Sequence, residues 1–140
     1  MSESVLDSWA MIGWLQGEEP ASAKVRELLE QASRGETTVA MSLINVGEVF
    51  YLIAKRHGAA PAERFLAEFA MMPIQALLPD RRLILKAARM KSRYPISYAD
   101  AFAVETAREQ NAILVTGDPE LRQLSKQEPI EVFWVGKKPS

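Results

Sequence analysis

Residues 94–121 read YPISYADAFAVETAREQNAILVTGDPEL, and this stretch contains the features that decide the fold. Its first part predicts a helix that opens at Ser97, and the apolar run AILVT predicts a buried strand. On that helix, Asp100 lies in line with the apolar residues three, four and seven positions later. A carboxylate therefore heads the stripe that should face the core, and a second one, Asp118, comes soon after the strand.

The alternation of helices with short apolar strands continues over the rest of the chain. The candidate strands are SVL before Asp7, TTVAM, PIQALL, AILVT and IEVFWV, and each pair is separated by at least one predicted helix. Strands that are apolar on both faces and connected by helices are typical of a parallel sheet buried between helical layers. In such a sheet, ligands bind outside the carboxyl ends of the strands.

Length and composition indicate one globular domain, residues 1–140, with an ordinary core. The chain has 17 Lys and Arg, 18 Asp and Glu, one His and no Cys. The missing cysteines exclude a disulfide framework and a thiolate metal site, and one histidine is too few for a histidine-rich site. We see no signal peptide and no apolar run long enough to span a membrane, so a cytoplasmic protein is expected.

The net charge of −1 hides a basic helix predicted over residues 80–93. Its residues Arg82, Lys86, Arg89 and Arg93 follow the spacing i, i+4, i+7, i+11 and form one stripe. Such a stripe is either a solvated helix face or a surface that contacts a phosphate backbone. The stripe by itself leaves both interpretations open.

Four acids each have an ordinary explanation when taken singly. Asp7 and Asp118 would cap the helices that follow them, and Asp100 has the position of the acid in a capping box. Glu48 lies within a helix that is apolar around much of its circumference and that we expect to be buried on most sides. It would either reach solvent, pair with a basic residue of the next two turns, or bind a cation.

Their joint arrangement favours a metal site. Asp7 and Asp118 follow strands, and Glu48 and Asp100 lie on helices that flank strand ends, so all four can meet at one edge of the sheet. Carboxylates that crowd together repel one another unless a cation neutralises them. Oxygen ligands without histidine or cysteine suit Mg²⁺ or Mn²⁺, which in an acidic crevice assist phosphoryl chemistry.

The stretches SVLDSWAMIGWLQGE, SLINVGEVF and SYADAFAVETAREQNAILVTGDPEL resemble, in order and spacing, the motifs of PIN-domain ribonucleases, particularly VapC-type toxins. The resemblance covers residues 4–135 and implies an α/β fold, a three-layer α/β/α sandwich with a short, mainly parallel central sheet. It implies an endoribonuclease dependent on Mg²⁺ or Mn²⁺ that hydrolyses RNA phosphodiester bonds. The implied partners are an RNA substrate, a cognate antitoxin protein and a second copy of the chain in a homodimer.

The resemblance also assigns roles. Asp7, Asp100 and Asp118 would hold the metal, and Glu48 would ligate through water or orient the attacking water. Residues expected to support the carboxylates or the substrate are Ser8, Asn45, Thr116 and Glu120, and Glu120 could supplement or replace Asp118. The basic stripe, from Arg82 to Arg93, would hold the RNA backbone.

Two alternatives remain. A PIN-like module could bind RNA or protein without cleaving. A phosphoacceptor receiver domain also has an acidic Mg²⁺ pocket, and VGKKP after the last strand resembles its lysine–proline pair. Receivers, however, need an adjacent acidic pair after the first strand, where this chain has Asp7 alone.

Overall fold

The computed structural model describes residues 3–138 and contains five strands and seven helices over that range. The strands are β1 Glu3–Leu6, β2 Thr38–Ser42, β3 Gln75–Leu77, β4 Ile113–Thr116 and β5 Val132–Trp134. The helices are α1 Ser8–Leu15, α2 Ala21–Ser33, α3 Leu43–His57, α4 Ala59–Phe69, α5 Arg81–Arg93, α6 Tyr98–Glu109 and α7 Pro119–Leu124. The strands predicted from the sequence are all present.

The strands form one sheet in the order β3-β2-β1-β4-β5, and every neighbouring pair is parallel. The chain adds strands on one side of β1 up to β3 and then returns to the other side with β4. The crevice between β1 and β4 is therefore the topological switch point, where open parallel sheets bind ligands.

Side chains of the central strands point alternately into two separate cores. Val5 and Leu114 pack among residues of α5, α6 and α7, whereas Leu6 and Val115 pack among residues of α1 to α4. This alternation is the period of two expected for a strand covered on both faces. The sheet is thus the middle of three layers, and the predicted α/β/α sandwich is confirmed.

Side chains cap five of the helices. Asp7, Ser42, Asp80, Ser97 and Asp118 each accept a hydrogen bond from a backbone N–H of the first turn that follows. Such caps satisfy donors that have no partner within the helix. Three of these caps, Asp7, Ser42 and Asp118, lie at or just after a strand's carboxyl end, so the same local chemistry gathers polar groups at one edge of the sheet.

The expectation that α3 is buried on most sides is wrong. Only Asn45, Val46 and Val49 are buried along this helix, whereas Leu43 is 43% and Ile44 38% exposed. The sheet and its neighbours cover one side of α3, and the apolar residues of the opposite side remain at the surface.

None of the helices within residues 3–138 combines the length and apolar character required to cross a membrane.

Candidate metal centre and its pocket

Asp7 occupies the deepest position in the site. It follows β1 directly, and its backbone N–H donates to the carbonyl of Val115 in β4 over 3.2 Å. Its side chain is fully buried. Asp7 Oδ1 accepts from the N–H of Ala10 at 2.8 Å, and Asp7 Oδ2 accepts from the Thr116 hydroxyl.

Thr116 links this buried acid to the next one. Its Oγ1 donates to Asp7 and accepts from the backbone N–H of Asp118 at 3.0 Å. The carboxyl ends of β1 and β4 are therefore joined by a single buried hydroxyl group. The prediction that Thr116 hydrogen-bonds a carboxylate is confirmed.

Three other carboxylates converge beside this pair of strands. Asp100, Asp118 and Glu120 each offer an oxygen, and the three oxygens lie within 4.8 Å of one another. Among residues 3–138 this is the group of acids close enough to share one cation, and Asp7 lies outside it. Glu120 lies in the cluster together with Asp118, and its role as a ligand stays a prediction.

Burial and mutual repulsion both act on these acids. Burial raises the pKa of Asp7 to about 8, and the charges of Asp100 and Asp118 add to the rise, whereas the bonds from Thr116 and Ala10 oppose it. Burial also raises the pKa of Asp100 to about 7, and the nearby charge of Asp118 contributes.

Weaker contributions to the raised pKa of Asp100 come from the charges of Glu48 and Glu120. All four acids predicted from the sequence therefore meet at one edge of the sheet. A bound divalent cation would relieve their repulsion, and the donor set of hard oxygens fits Mg²⁺ or Mn²⁺.

Glu48 is held on α3, facing the same pocket as Asp100 and Asp118. It is partly buried and accepts a hydrogen bond from the Tyr51 hydroxyl at 3.4 Å. Within the described residues it has no ion pair with a basic side chain. Pairing with a basic residue therefore does not explain Glu48. The carboxylate is partly exposed to solvent and lies in the wall of the pocket that contains Asp100 and Asp118.

Asn45 joins the starts of three helices. Its side-chain amide nitrogen donates to Ser8 Oγ at 3.1 Å and to the backbone carbonyl of Ala99 at 3.1 Å. The Ser8 hydroxyl in turn donates to the backbone carbonyl of Asn45 at 3.3 Å. The hydroxyl of Ser8 was expected to meet a carboxylate or the substrate, and its bonds instead run to Asn45. Both residues thus fix the position of α1 and α6, which hold Asp7 and Asp100.

A pocket of about 370 Å³ opens over the acids. Its wall includes Glu48, Asp100 and Asp118, together with the ring of Trp9 and the exposed side chain of Arg56. Arg56 supplies positive charge beside the carboxylates, and sequence reasoning missed it in this role. The available signal was its spacing: Glu48, Leu52 and Arg56 follow i, i+4, i+8 along one side of α3.

The basic stripe of α5 lies elsewhere. Arg82 and Arg89 line a different, shallow groove together with Leu85. Arg93 forms an ion pair with Glu128 at 3.1 Å. Contact between this stripe and RNA therefore stays a prediction, and it concerns a surface outside the acidic pocket.

Comparison with known proteins relates the chain to a family. The model of the PIN domain family matches residues 4–127. A comparison with curated proteins finds no match.

Several solved structures share the fold. VapBC2 from Rickettsia felis, bound to a DNA fragment from its promoter, aligns with a TM-score of 0.73 at 15% identity, covering 94% of this chain and 97% of that one. VapBC from Salmonella typhimurium, bound to DNA, gives a TM-score of 0.73 at 17% identity, with 95% and 98% covered. VapC20 from Mycobacterium tuberculosis, described as a sarcin–ricin loop cleaving toxin, gives a TM-score of 0.70 at 14% identity, with 86% and 94% covered.

Proposed function

The chain belongs to the PIN-domain family, and from that premise we propose that it is a divalent-metal-dependent endoribonuclease acting as the toxin of a toxin–antitoxin pair. The observation that carries this proposal is the cluster of Asp100, Asp118 and Glu120 beside the buried Asp7 at the switch point of the sheet. One neighbour of the same fold is itself described as a sarcin–ricin loop cleaving toxin. Family membership also leaves the receiver-domain alternative without support.

The residues present fit a hard divalent cation. Asp100, Asp118 and Glu120 supply three carboxylate oxygens within 4.8 Å of one another. Asp7 adds a deeper carboxylate whose oxygens each keep an unused lone pair after their one hydrogen bond. We propose that Asp100, Asp118 and Glu120 hold a Mg²⁺ or Mn²⁺ ion, and that Asp7, which lies outside this 4.8 Å cluster, would join the ligands when the ion binds.

Such an ion activates water and stabilises the attacking and leaving oxygens of a phosphodiester. Glu48, facing the same pocket, would orient the water and accept its proton, and the Tyr51 hydroxyl holds that carboxylate in place. Arg56 in the pocket wall would contact the phosphate, because a guanidinium matches phosphate oxygens in geometry and charge. Thr116 keeps Asp7 aligned with Asp118.

Cleavage of a mixed RNA pool tests the proposal. The wild-type protein should cleave RNA with Mn²⁺ or Mg²⁺, and EDTA should stop the cleavage. The Asp7→Asn variant should cleave at least about 100-fold more slowly because a charged ligand is gone. Asp80→Asn is the matched control, since Asp80 caps a helix as Asp7 does but lies outside the site.

Equal cutting by wild type and Asp7→Asn would refute a carboxylate-metal mechanism. Absence of cutting by a folded protein that still binds Mn²⁺ would support the alternative of a PIN-like module that binds without cleaving.

An antitoxin partner is part of this proposal. The solved neighbours from Rickettsia felis and Salmonella typhimurium are VapBC complexes. An antitoxin that covers the acidic pocket should suppress cleavage in a one-to-one mixture, and unchanged cleavage in a stable complex would contradict this mode of inhibition.

A cytoplasmic location is also part of the proposal, because the proposed substrate is cellular RNA.

A homodimer is the third part of the proposal. Three helices carry exposed apolar side chains near their starts, Leu43 and Ile44 on α3, Ile84 and Leu85 on α5, and Tyr98 on α6. The start of α6 contacts both other helices, since Asn45 of α3 donates to the Ala99 carbonyl and the Tyr98 hydroxyl donates to the Ile84 carbonyl of α5 at 3.5 Å. Apolar patches of this kind mark protein interfaces. Sedimentation should show a dimer that Ile44→Arg converts to monomer, and a wild-type monomer at micromolar concentration would refute the dimer.

A further inference from the structure

A second pocket, of about 400 Å³, lies between the α5–α6 connection and α7. Its inner wall is apolar and consists of Ile96 and Leu124, both nearly inaccessible to solvent, with the partly buried ring of Tyr94. Because these side chains are held in the core of the α5–α7 layer, the pocket is a preformed feature of the fold.

This pocket adjoins the metal centre through a shared residue. Glu120 lines it, and Glu120 also offers an oxygen to the cluster with Asp100 and Asp118. Pro119, which lines the same pocket, follows Asp118 directly in the chain. A ligand in the pocket would therefore touch a residue of the metal centre.

Polar groups stand at the outer edge of the pocket. The side chains of Gln123 and Gln127 are exposed, and within residues 3–138 neither amide has a hydrogen-bond partner. Each amide can donate and accept at once, as required to read the edge of a heterocyclic base. Among residues 3–138, no basic side chain lines the pocket, which therefore suits an uncharged group rather than a phosphate.

We propose that this pocket holds one unstacked nucleobase of the RNA, on the nucleotide next to the scissile phosphate. The inference rests on the proposed ribonuclease function and adds the subsite that sets base preference. A base and its adjacent phosphate are attached to the same ribose, so a phosphate at the metal centre places that base in a pocket sharing Glu120. Tyr94 supplies an aromatic ring, which already has the Arg93 guanidinium 5.8 Å from its centroid, and bases of single-stranded RNA stack on such rings. Gln123 and Gln127 supply the hydrogen bonds that distinguish one base from another.

Sequencing of the cleavage products tests the subsite. Wild type should favour one base at one position flanking the cut, and Gln123→Leu or Gln127→Leu should reduce that preference about 10-fold because a base-edge contact is lost. Cutting itself should remain metal-dependent. Gln31→Leu makes the same change on α2 in the opposite layer and should leave the profile as in wild type. An unchanged preference at every flanking position in both pocket variants would overturn the inference.

Nucleotide binding separates the subsite from the reaction. AMP, GMP, CMP and UMP are titrated in turn into the Mn²⁺-free, isotopically labelled protein, and backbone NMR signals are followed. One nucleotide should shift the signals of residues 94–96 and 123–127. The Tyr94→Ala variant should bind that nucleotide about 10-fold more weakly because stacking is lost. The same shifts in a protein that cuts no RNA would support the subsite while the ribonuclease proposal fails. No shift from any nucleotide at millimolar concentration would overturn the subsite and leave the pocket to an apolar side chain of a protein partner.

Discussion

The Asp7 carboxyl group is fully enclosed, yet each of its oxygens accepts a hydrogen bond. Burial dominates and raises its pKa to about 8, so at neutral pH the metal-free protein keeps a proton on this acid. A metal ligand must lose its proton, and metal binding therefore releases protons and strengthens as pH rises. The buried site couples metal affinity to pH.

The raised pKa of Asp7 also predicts how stability changes with pH. Between its ordinary value of 3.8 and about 8, the folded state keeps a proton that the unfolded state releases. The unfolded state binds fewer protons there, so the free energy of unfolding falls as pH rises. Urea unfolding in EDTA across this range should show a smaller fall for Asp7→Asn than for wild type. A parallel fall in both proteins would mean that Asp7 is not the group responsible.

The position of Asp100 in the acid cluster predicts how metal binding changes the stability of the protein. Mn²⁺ at 100 times its dissociation constant should add about 2.7 kcal/mol to the free energy of unfolding, and the melting temperature should rise accordingly. Asp100→Asn removes one carboxylate from the cluster with Asp118 and Glu120 and should abolish most of the gain. Asp80→Asn should retain it, and an Asp100→Asn protein that keeps the whole gain would place the ligands elsewhere.

At the scale of elements, local chemistry explains most of what the sequence predicts correctly. The sequence predicts Asp7 and Asp118 as helix caps, and each caps the helix that follows through its own side chain. These bonds span two or three residues, and they can be recognised without knowledge of the tertiary fold. The contacts of Ser8 with Asn45 span 37 residues, and no local rule predicts them.

The turn between β4 and α7 places Gly117 against the ring of Trp9. A Cβ atom at position 117 would overlap that ring. Gly117→Ala should therefore displace Trp9 and lower the free energy of unfolding by about 1–3 kcal/mol. Gly47→Ala is the contrasting control, because nothing surrounds its Cβ position on α3, and it should stabilise by about 0.5–1 kcal/mol. Urea unfolding measures both, and equal stabilities for the two variants would contradict the close packing.

At the scale of the whole molecule, charge is separated into two surfaces. The pocket contains Glu48, Asp100 and Asp118, whereas Arg82 and Arg89 line a groove on α5. The acids alone would repel RNA, so a substrate needs positive charge within reach of the pocket. Arg56 supplies it locally, and contact of a longer strand with the α5 groove stays a prediction.

The α5 surface predicts a salt dependence. Arg82→Glu combined with Arg89→Glu should weaken RNA binding and reduce the slope of log affinity against log salt by about 1.4, for two lost phosphate contacts on a single strand. Filter binding in a salt series measures the slope. Arg26→Glu with Arg64→Glu changes the charge equally on α2 and α4, and an identical slope in both double variants would exclude a specific role for α5.

The sequence predicts the identity and order of the strands better than their arrangement. Apolar runs locate β1 and β4, but the pairing of Ser4 with Ile113 depends on contacts across more than a hundred residues. The acids Asp7 and Asp118 are found because each follows a strand. The place of Arg56 in the pocket wall and of Glu120 in the cluster depends on how α3 and α7 lie over the strand ends. Periodicity alone does not determine that packing.

The central place of β1 has a consequence for synthesis of the chain. Asp7 is synthesised 109 residues before Thr116, whose hydroxyl donates to its carboxylate. Until β4 has emerged, one side of β1 has no neighbour and the acids of α7 do not exist. A nascent PIN domain therefore lacks the assembled acid site for most of its translation, because domains fold as units once their sequence is complete. The cell meets a competent nuclease site only as the last strands are added, which is the interval in which a protective partner must be at hand.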